Sequence, residues 1–236
     1  MNICLIQTYP EAKRKNIEHL GWVIKQLKAD LYVLPELFIT GFDYIAQHGP
    51  AHAETIPSGL TCQQIHGFLK GRSSAVVCGL LEQEGQHYYN VAAVFGNGGV
   101  GRYRQKYLAT TFKGQVLPIQ PGDLQTITVT LGTEQWKMGF MICNDYRMAD
   151  EFFAEYKKRG VNAVVLIADS PTRAWLTEFP HYCQQYGLPA IVCNAAGPNG
   201  GGSCVINSLG EFMQLNTPLG QRNQLLDTPM AATGVL

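Results

Sequence analysis

Charge is scarce in this chain. Asp, Glu, Lys and Arg make up 15% of its 236 residues while hydrophobic residues reach 46%, and a soluble domain usually carries about a quarter charged residues. A surface so poor in charge is either uncharged or covered by a partner subunit, so a homodimer or higher homo-oligomer is expected. Eighteen basic residues balance eighteen acidic ones and no basic cluster stands out, which excludes the electrostatic footprint of a nucleic-acid binder and favours a small-molecule partner. No window approaches the apolar length of a membrane span, and Met1-Asn-Ile-Cys-Leu-Ile-Gln7 lacks the basic and apolar regions of a leader, so no membrane partner and a cytoplasmic location are expected. The cysteines number seven, an odd count without a C-x-x-C pair, which argues against a disulfide framework and a zinc knuckle. No metal and no cofactor are expected.

What the sequence does have is an orderly succession of apolar patterns. Residues 2–6 read as a strand, and Ile17, Leu20, Ile24 and Leu27 fall at helical spacing within 11–30. Strand 31–34 stops at Pro35, and the loop that Glu36 begins contains Gly41 and Pro50. A helix near 62–70, strands 75–81 and 87–95, and a Gly-Asn-Gly-Gly turn into strand 100–104 follow. After an irregular stretch through Pro118 and Pro121, the order recurs: strand 135–142, helix 148–159, strand 161–168, helix 172–186, then strands 190–193, 203–207 and 212–215. Two β-α-β-α-β-β halves, each with helices on one face of a sheet, predict an α/β four-layer αββα sandwich. The reading is one domain over 1–236, with 215–236 a tail that either packs at a subunit interface or stays loose.

Ligands gather where strands end in layered α/β proteins, and three ends carry reactive residues. Glu36 follows Pro35, Lys106 follows the strand ending at Arg104, and Cys143 follows Met138-Gly-Phe-Met-Ile142. Each has a plainer reading: a solvated glutamate, a solvated lysine, a core thiol. Together they make chemical sense, because a thiol needs a base and a tetrahedral intermediate needs positive charge near its developing oxyanion.

At these residues the chain resembles the nitrilase superfamily of carbon–nitrogen hydrolases. Val33-Leu-Pro-Glu-Leu-Phe-Ile-Thr-Gly-Phe42 is similar to the family's glutamate segment, and Cys143-Asn-Asp-Tyr-Arg147 to its Cys-x-Asp-x-Arg signature. Gly160 to Leu166, Asp169-Ser-Pro-Thr-Arg173, Trp175, Ile191 to Asn194 and Gly202 to Glu211 run in the family's order. The resemblance implies a Glu36, Lys106, Cys143 triad on an αββα fold that typically dimerises. By the same resemblance, the Asn144 backbone N–H would join Lys106 in the oxyanion hole. Asp145 and Arg147 would hold the turn, with Arg147 alternatively facing a substrate carboxylate, and Phe42, Tyr146, Ser170, Arg173 and Trp175 are candidate pocket residues.

Two departures stand out. In Tyr103-Arg-Gln-Lys-Tyr-Leu108 a gapless alignment puts Gln105 in the lysine's place, and a one-residue shift restores Lys106, the residue chosen here. Where many members carry a further glutamate, Gln115 stands, keeping hydrogen-bonding capacity without the charge. The function expected is hydrolysis of a small amide through a Cys143 thioester, with a nitrile or N-carbamoyl compound as the alternative substrate. Acyl transfer to an amine, or a noncatalytic binding subunit that retains the fold, are the other readings.

Overall fold

A computed structural model describes residues 1–8, 13–108, 119–196, 200–213 and 230–235. The first half runs β1 (Asn2–Gln7), α1 (Lys13–Gln26), β2 (Leu31–Val33), α2 (Phe42–His48), α3 (Leu60–Leu69), β3 (Ala75–Glu84), β4 (His87–Gly96) and β5 (Gly99–Arg104). The second runs β6 (Thr126–Leu131), β7 (Glu134–Ile142), a 3-10 helix (Cys143–Met148), α4 (Ala149–Lys158), β8 (Ala163–Ala168), α5 (Trp175–Tyr186), β9 (Ala190–Asn194), β10 (Cys204–Ile206) and β11 (Met230–Val235).

The strands form a six-stranded sheet in the order β11-β1-β2-β3-β4-β5 and a five-stranded sheet in the order β10-β9-β8-β7-β6. Strand alternation sorts the first sheet's side chains. Ile3, Leu5, Leu31, Val33, Ala75, Val77, Ala92 and Val94 pack in one core with the second sheet. Their neighbours Cys4, Ile6, Tyr32, Val76, Cys78, Ala93 and Phe95 pack against Ile17, Leu20 and Ile24 of α1 and Cys62 and Ile65 of α3. In the second sheet β8 is buried along its whole length, as a parallel strand covered on both faces must be. Phe152, Phe153 and Tyr156 of α4 and Trp175, Phe179 and Cys183 of α5 cover its outer face. The result is the αββα sandwich expected from the pattern.

Three elements were not legible. Helix α2 lies within the stretch read as loop, bounded by Gly41 and Gly49, both at positive φ. Strand β6 pairs antiparallel with β7, from Thr126 opposite Gly139 to Leu131 opposite Glu134, directly after the irregular proline stretch. In the tail, β11 pairs antiparallel with β1, Asn2 opposite Val235 and Gln7 opposite Met230. Of the expected strand 212–215, Phe212 makes a single bridge to Ile206, and its last two residues lie outside the described ones.

Candidate active site

The site lies where the carboxyl ends of β2, β7 and β8 meet the end of β5. Gly79 on β3 lets the chain after β2 come close, since a Cβ there would collide with the Pro35 carbonyl oxygen and the Leu37 nitrogen. Glu36 is completely buried in that turn. Its Oε1 accepts a hydrogen bond of 2.6 Å from Asn90 Nδ2 on β4, and its Oε2 accepts one of 2.9 Å from the Asp169 backbone N–H after β8. The Cys143 thiol lies close enough to this carboxyl for each to act on the other. Two non-glycine residues here have left-handed backbones, Leu37 at φ 43° and Cys143 at φ 41°. Such conformations cost of order 1–3 kcal/mol and persist where the surroundings impose them, and these two sit beside the glutamate and at the thiol itself.

Burial, then the nearby Asp169 charge, push the Glu36 carboxyl up to about 8, against the pull of its hydrogen bonds. Burial followed by the Glu36 charge and hydrogen bond push the Cys143 thiol well above its usual range. At neutral pH the resting pair is therefore mostly a thiol and a carboxylic acid.

The structure brings Glu36 and Cys143 together and does not bring Lys106 to them. Lys106 Nζ lies 2.7 Å from Glu151 Oε1 on α4, near the Tyr107 ring, and lines a surface cavity of about 290 Å³ with Glu155, Lys158 and Arg159. Gln105 occupies the buried position instead. It is 4% exposed; its Nε2 donates to the Ile142 carbonyl at 2.8 Å, and its Oε1 accepts from Asn90 Nδ2 at 3.0 Å. Strand alternation accounts for the two placements: Tyr103 of β5 is buried against the second sheet, and a period of two carries Gln105 to the same side and Lys106 away.

Asp145 is a clasp between the segments. Its Oδ2 accepts from the Tyr103 hydroxyl at 2.8 Å and from the Ile142 N–H at 2.9 Å, and its Oδ1 from the Tyr107 N–H at 2.7 Å. Burial nevertheless raises it to about 7. The Asn144 side chain donates to the Tyr107 and Leu108 carbonyls, both at 3.2 Å, and so ties the same segment. Arg147 is exposed.

Of the pocket candidates, Ser170 is buried, and its N–H donates to Asn194 Oδ1 at 3.0 Å. Arg173 Nε donates to the Gly200 carbonyl at 2.8 Å. Trp175 is fully buried, its indole N–H bonded to the Gly202 carbonyl, so it backs half-buried Tyr146 at a ring separation of 6.0 Å instead of facing open space. Phe42 packs with Leu37, Ile45 and Leu81. Gln115 lies outside the described residues. Sequence reasoning missed Asn90, whose signal was a lone amide at the head of the apolar run Val91 to Phe95.

A turn-borne cysteine is thus held against a buried glutamate between the two sheets of an αββα scaffold. Residues 2–223 match the family described as carbon–nitrogen hydrolase, and the chain belongs to that family, within the nitrilase superfamily. Among curated relatives, a nitrilase from Pyrococcus abyssi (strain GE5 / Orsay) is 31% identical over 153 residues, covering 62% of this chain and 56% of the relative. The chain spans about half the length of the curated relatives it matches. The NitN amidase from Nesterenkonia sp. AN1 superposes with a TM-score of 0.79 at 20% identity, covering 100% of this chain and 92% of that one. A variant of the Nesterenkonia amidase with acrylamide added at its active-site cysteine gives 0.77 at 19% identity, covering 100% and 93%. Among the described residues no helix is long and apolar enough to cross a membrane.

Proposed function

We propose that this chain hydrolyses a carbon–nitrogen bond of a small molecule through a covalent Cys143 adduct, with Glu36 carrying the proton. The supporting observation is the Cys143 thiol set against the buried Glu36 carboxyl, at a turn whose cysteine is held at φ 41°. Glu36 in its ionised form takes the thiol proton as sulfur attacks the trigonal carbon, then gives it to the departing nitrogen. Water enters, Glu36 takes its proton, and the adduct is released. With an amide substrate the adduct is a thioester and the product an acid; a nitrile or N-carbamoyl compound would use the same pair. Lys106 has no part in this reading, because its ammonium is held by Glu151. Gln105 stands third in the cluster. It uses one N–H of Nε2 on Ile142, and an amide nitrogen has a second to offer.

A noncatalytic binding subunit is the second reading, favoured by the neutral Gln105 beside the nucleophile. The deciding experiment exposes the protein to small amides, nitriles and N-carbamoyl compounds above pH 8, measuring ammonia release and mass gain on the Cys143 peptide. Adducts that vanish in Cys143→Ala, with turnover reduced in Glu36→Gln, support hydrolysis; binding without adduct or ammonia selects the second reading.

A further inference from the structure

Attack of sulfur on an amide carbonyl leaves a negative oxygen that needs a cation or several strong donors. The described surroundings of Cys143 supply little of that. The carboxyl of Glu36 and the Asp169 segment act on the thiol directly, and the carboxamides of Asn90 and Gln105 reach the site through Glu36 and the Ile142 carbonyl. Both basic residues adjoining Gln105 in sequence are drawn away, Arg104 to Glu82 and Lys106 to Glu151. Acceptors are in surplus: Asn90 is 1% exposed, and its Oδ1 is buried with no hydrogen-bond partner among the described residues. A buried carboxyl, an unused amide oxygen and a thiol together suit a ligand rich in N–H groups that brings its own positive charge.

Resting on the covalent reading above, we propose that the substrate is an amidine bound as its amidinium, a cation whose reacting carbon lies between two nitrogens. Attack by sulfur on that carbon gives a neutral tetrahedral adduct, so no oxyanion forms and no fixed cation is needed. The balance is straightforward. The thiol proton passes to the Glu36 carboxylate as the S–C bond forms; Glu36 returns it to one nitrogen, the C–N bond breaks, and ammonia leaves a cationic thioimidate on Cys143. Water adds to that carbon while Glu36 takes one of its protons. The C–S bond then breaks, the hydroxyl proton goes to sulfur, and the carboxamide departs. The proton left on Glu36 leaves with the ammonia, for a net conversion of amidinium and water to amide and ammonium. The bound cation also restores the carboxylate form of Glu36, which burial otherwise holds protonated up to about pH 8.

The test uses matched pairs of similar shape, acetamidine with acetamide and benzamidine with benzamide. Ammonia release is followed together with protection of Cys143 from iodoacetamide, resolved by peptide mass spectrometry. Each amidine is expected to protect Cys143 and to release ammonia with a kcat/KM about tenfold or more above its amide. Gln105→Lys is expected to weaken that protection and reverse the preference; the wild-type comparison stands without the variant. Amides turned over as well as or better than the amidines overturn the inference and leave the covalent reading standing. Amidines that neither protect Cys143 nor release ammonia also overturn it. Absence of a Cys143 adduct or turnover with every compound, including those of the broader panel, overturns both.

Discussion

Gln105 Nε2 lies 2.8 Å from the carbonyl oxygen of Ile142, the residue before Cys143, while its neighbour Lys106 reaches out to Glu151. The two adjacent residues should therefore behave oppositely. Lys106→Ala removes a partly exposed ion pair and is expected to cost less than about 1 kcal/mol, leaving the alkylation rate of Cys143 unchanged. Gln105→Ala strips a buried acceptor and a buried amide of their partner and is expected to cost about 1–3 kcal/mol, with an altered Cys143 alkylation rate. Urea unfolding and peptide-resolved alkylation check both.

Turnover should rise with pH. In the proposed reaction the proton acceptor is the ionised form of Glu36, whose carboxyl is held near 8, so kcat/KM is expected to increase about tenfold per pH unit below that value and to level off above it. Glu36→Gln is expected to lower turnover by about 100-fold or more. A profile already flat from pH 6 would show that this carboxyl is ionised in the working enzyme at neutrality.

Fold stability should move the other way. Glu36 and Asp145 both have folded values, about 8 and about 7, above their ordinary 4.5 and 3.8. The stability linked to their folded-state protonation is fully present below the ordinary values and is lost as pH rises to about 8. Urea midpoints should fall across that range, and the fall should be shallower in Glu36→Gln.

Gly79→Ala is the packing test. Its Cβ would meet backbone atoms of Pro35, Glu36 and Leu37, and backbone cannot step aside as a side-chain tip can. A loss of about 1–3 kcal/mol is expected, together with disturbance of the Glu36 turn, read as a changed alkylation rate of Cys143 in the folded variant. Gly67→Ala is the control, since open space surrounds a Cβ there.

The layers were legible because β1 to β5 alternate strictly between two cores and α1, α4 and α5 carry apolar stripes. Glu36 and Cys143 were legible because each interrupts an apolar run at a strand end. Position along a strand was harder to read: Tyr103, buried against the second sheet, fixes the inward parity, which Gln105 shares and Lys106 does not. Helix α2 was hidden by its seven-residue length, too short for a period to declare itself, and β11 by its distance in sequence from the strand it pairs with. Asn90 and the Asp169 N–H were invisible for the same reason: they meet Glu36 through contacts 54 and 133 residues apart.

The clasp at Asp145 has a mechanical meaning. Glu36, Asn90 and Gln105 are carried by the first sheet, Cys143 and Asp169 by the second, and the bonds from Tyr103 and Tyr107 to Asp145 stitch the two across their seam. Neither half holds both Glu36 and Cys143. Sliding one sheet past the other by the length of a hydrogen bond would part thiol from carboxyl, so in the proposed reaction the thiol–carboxyl contact is a gauge of sheet registration.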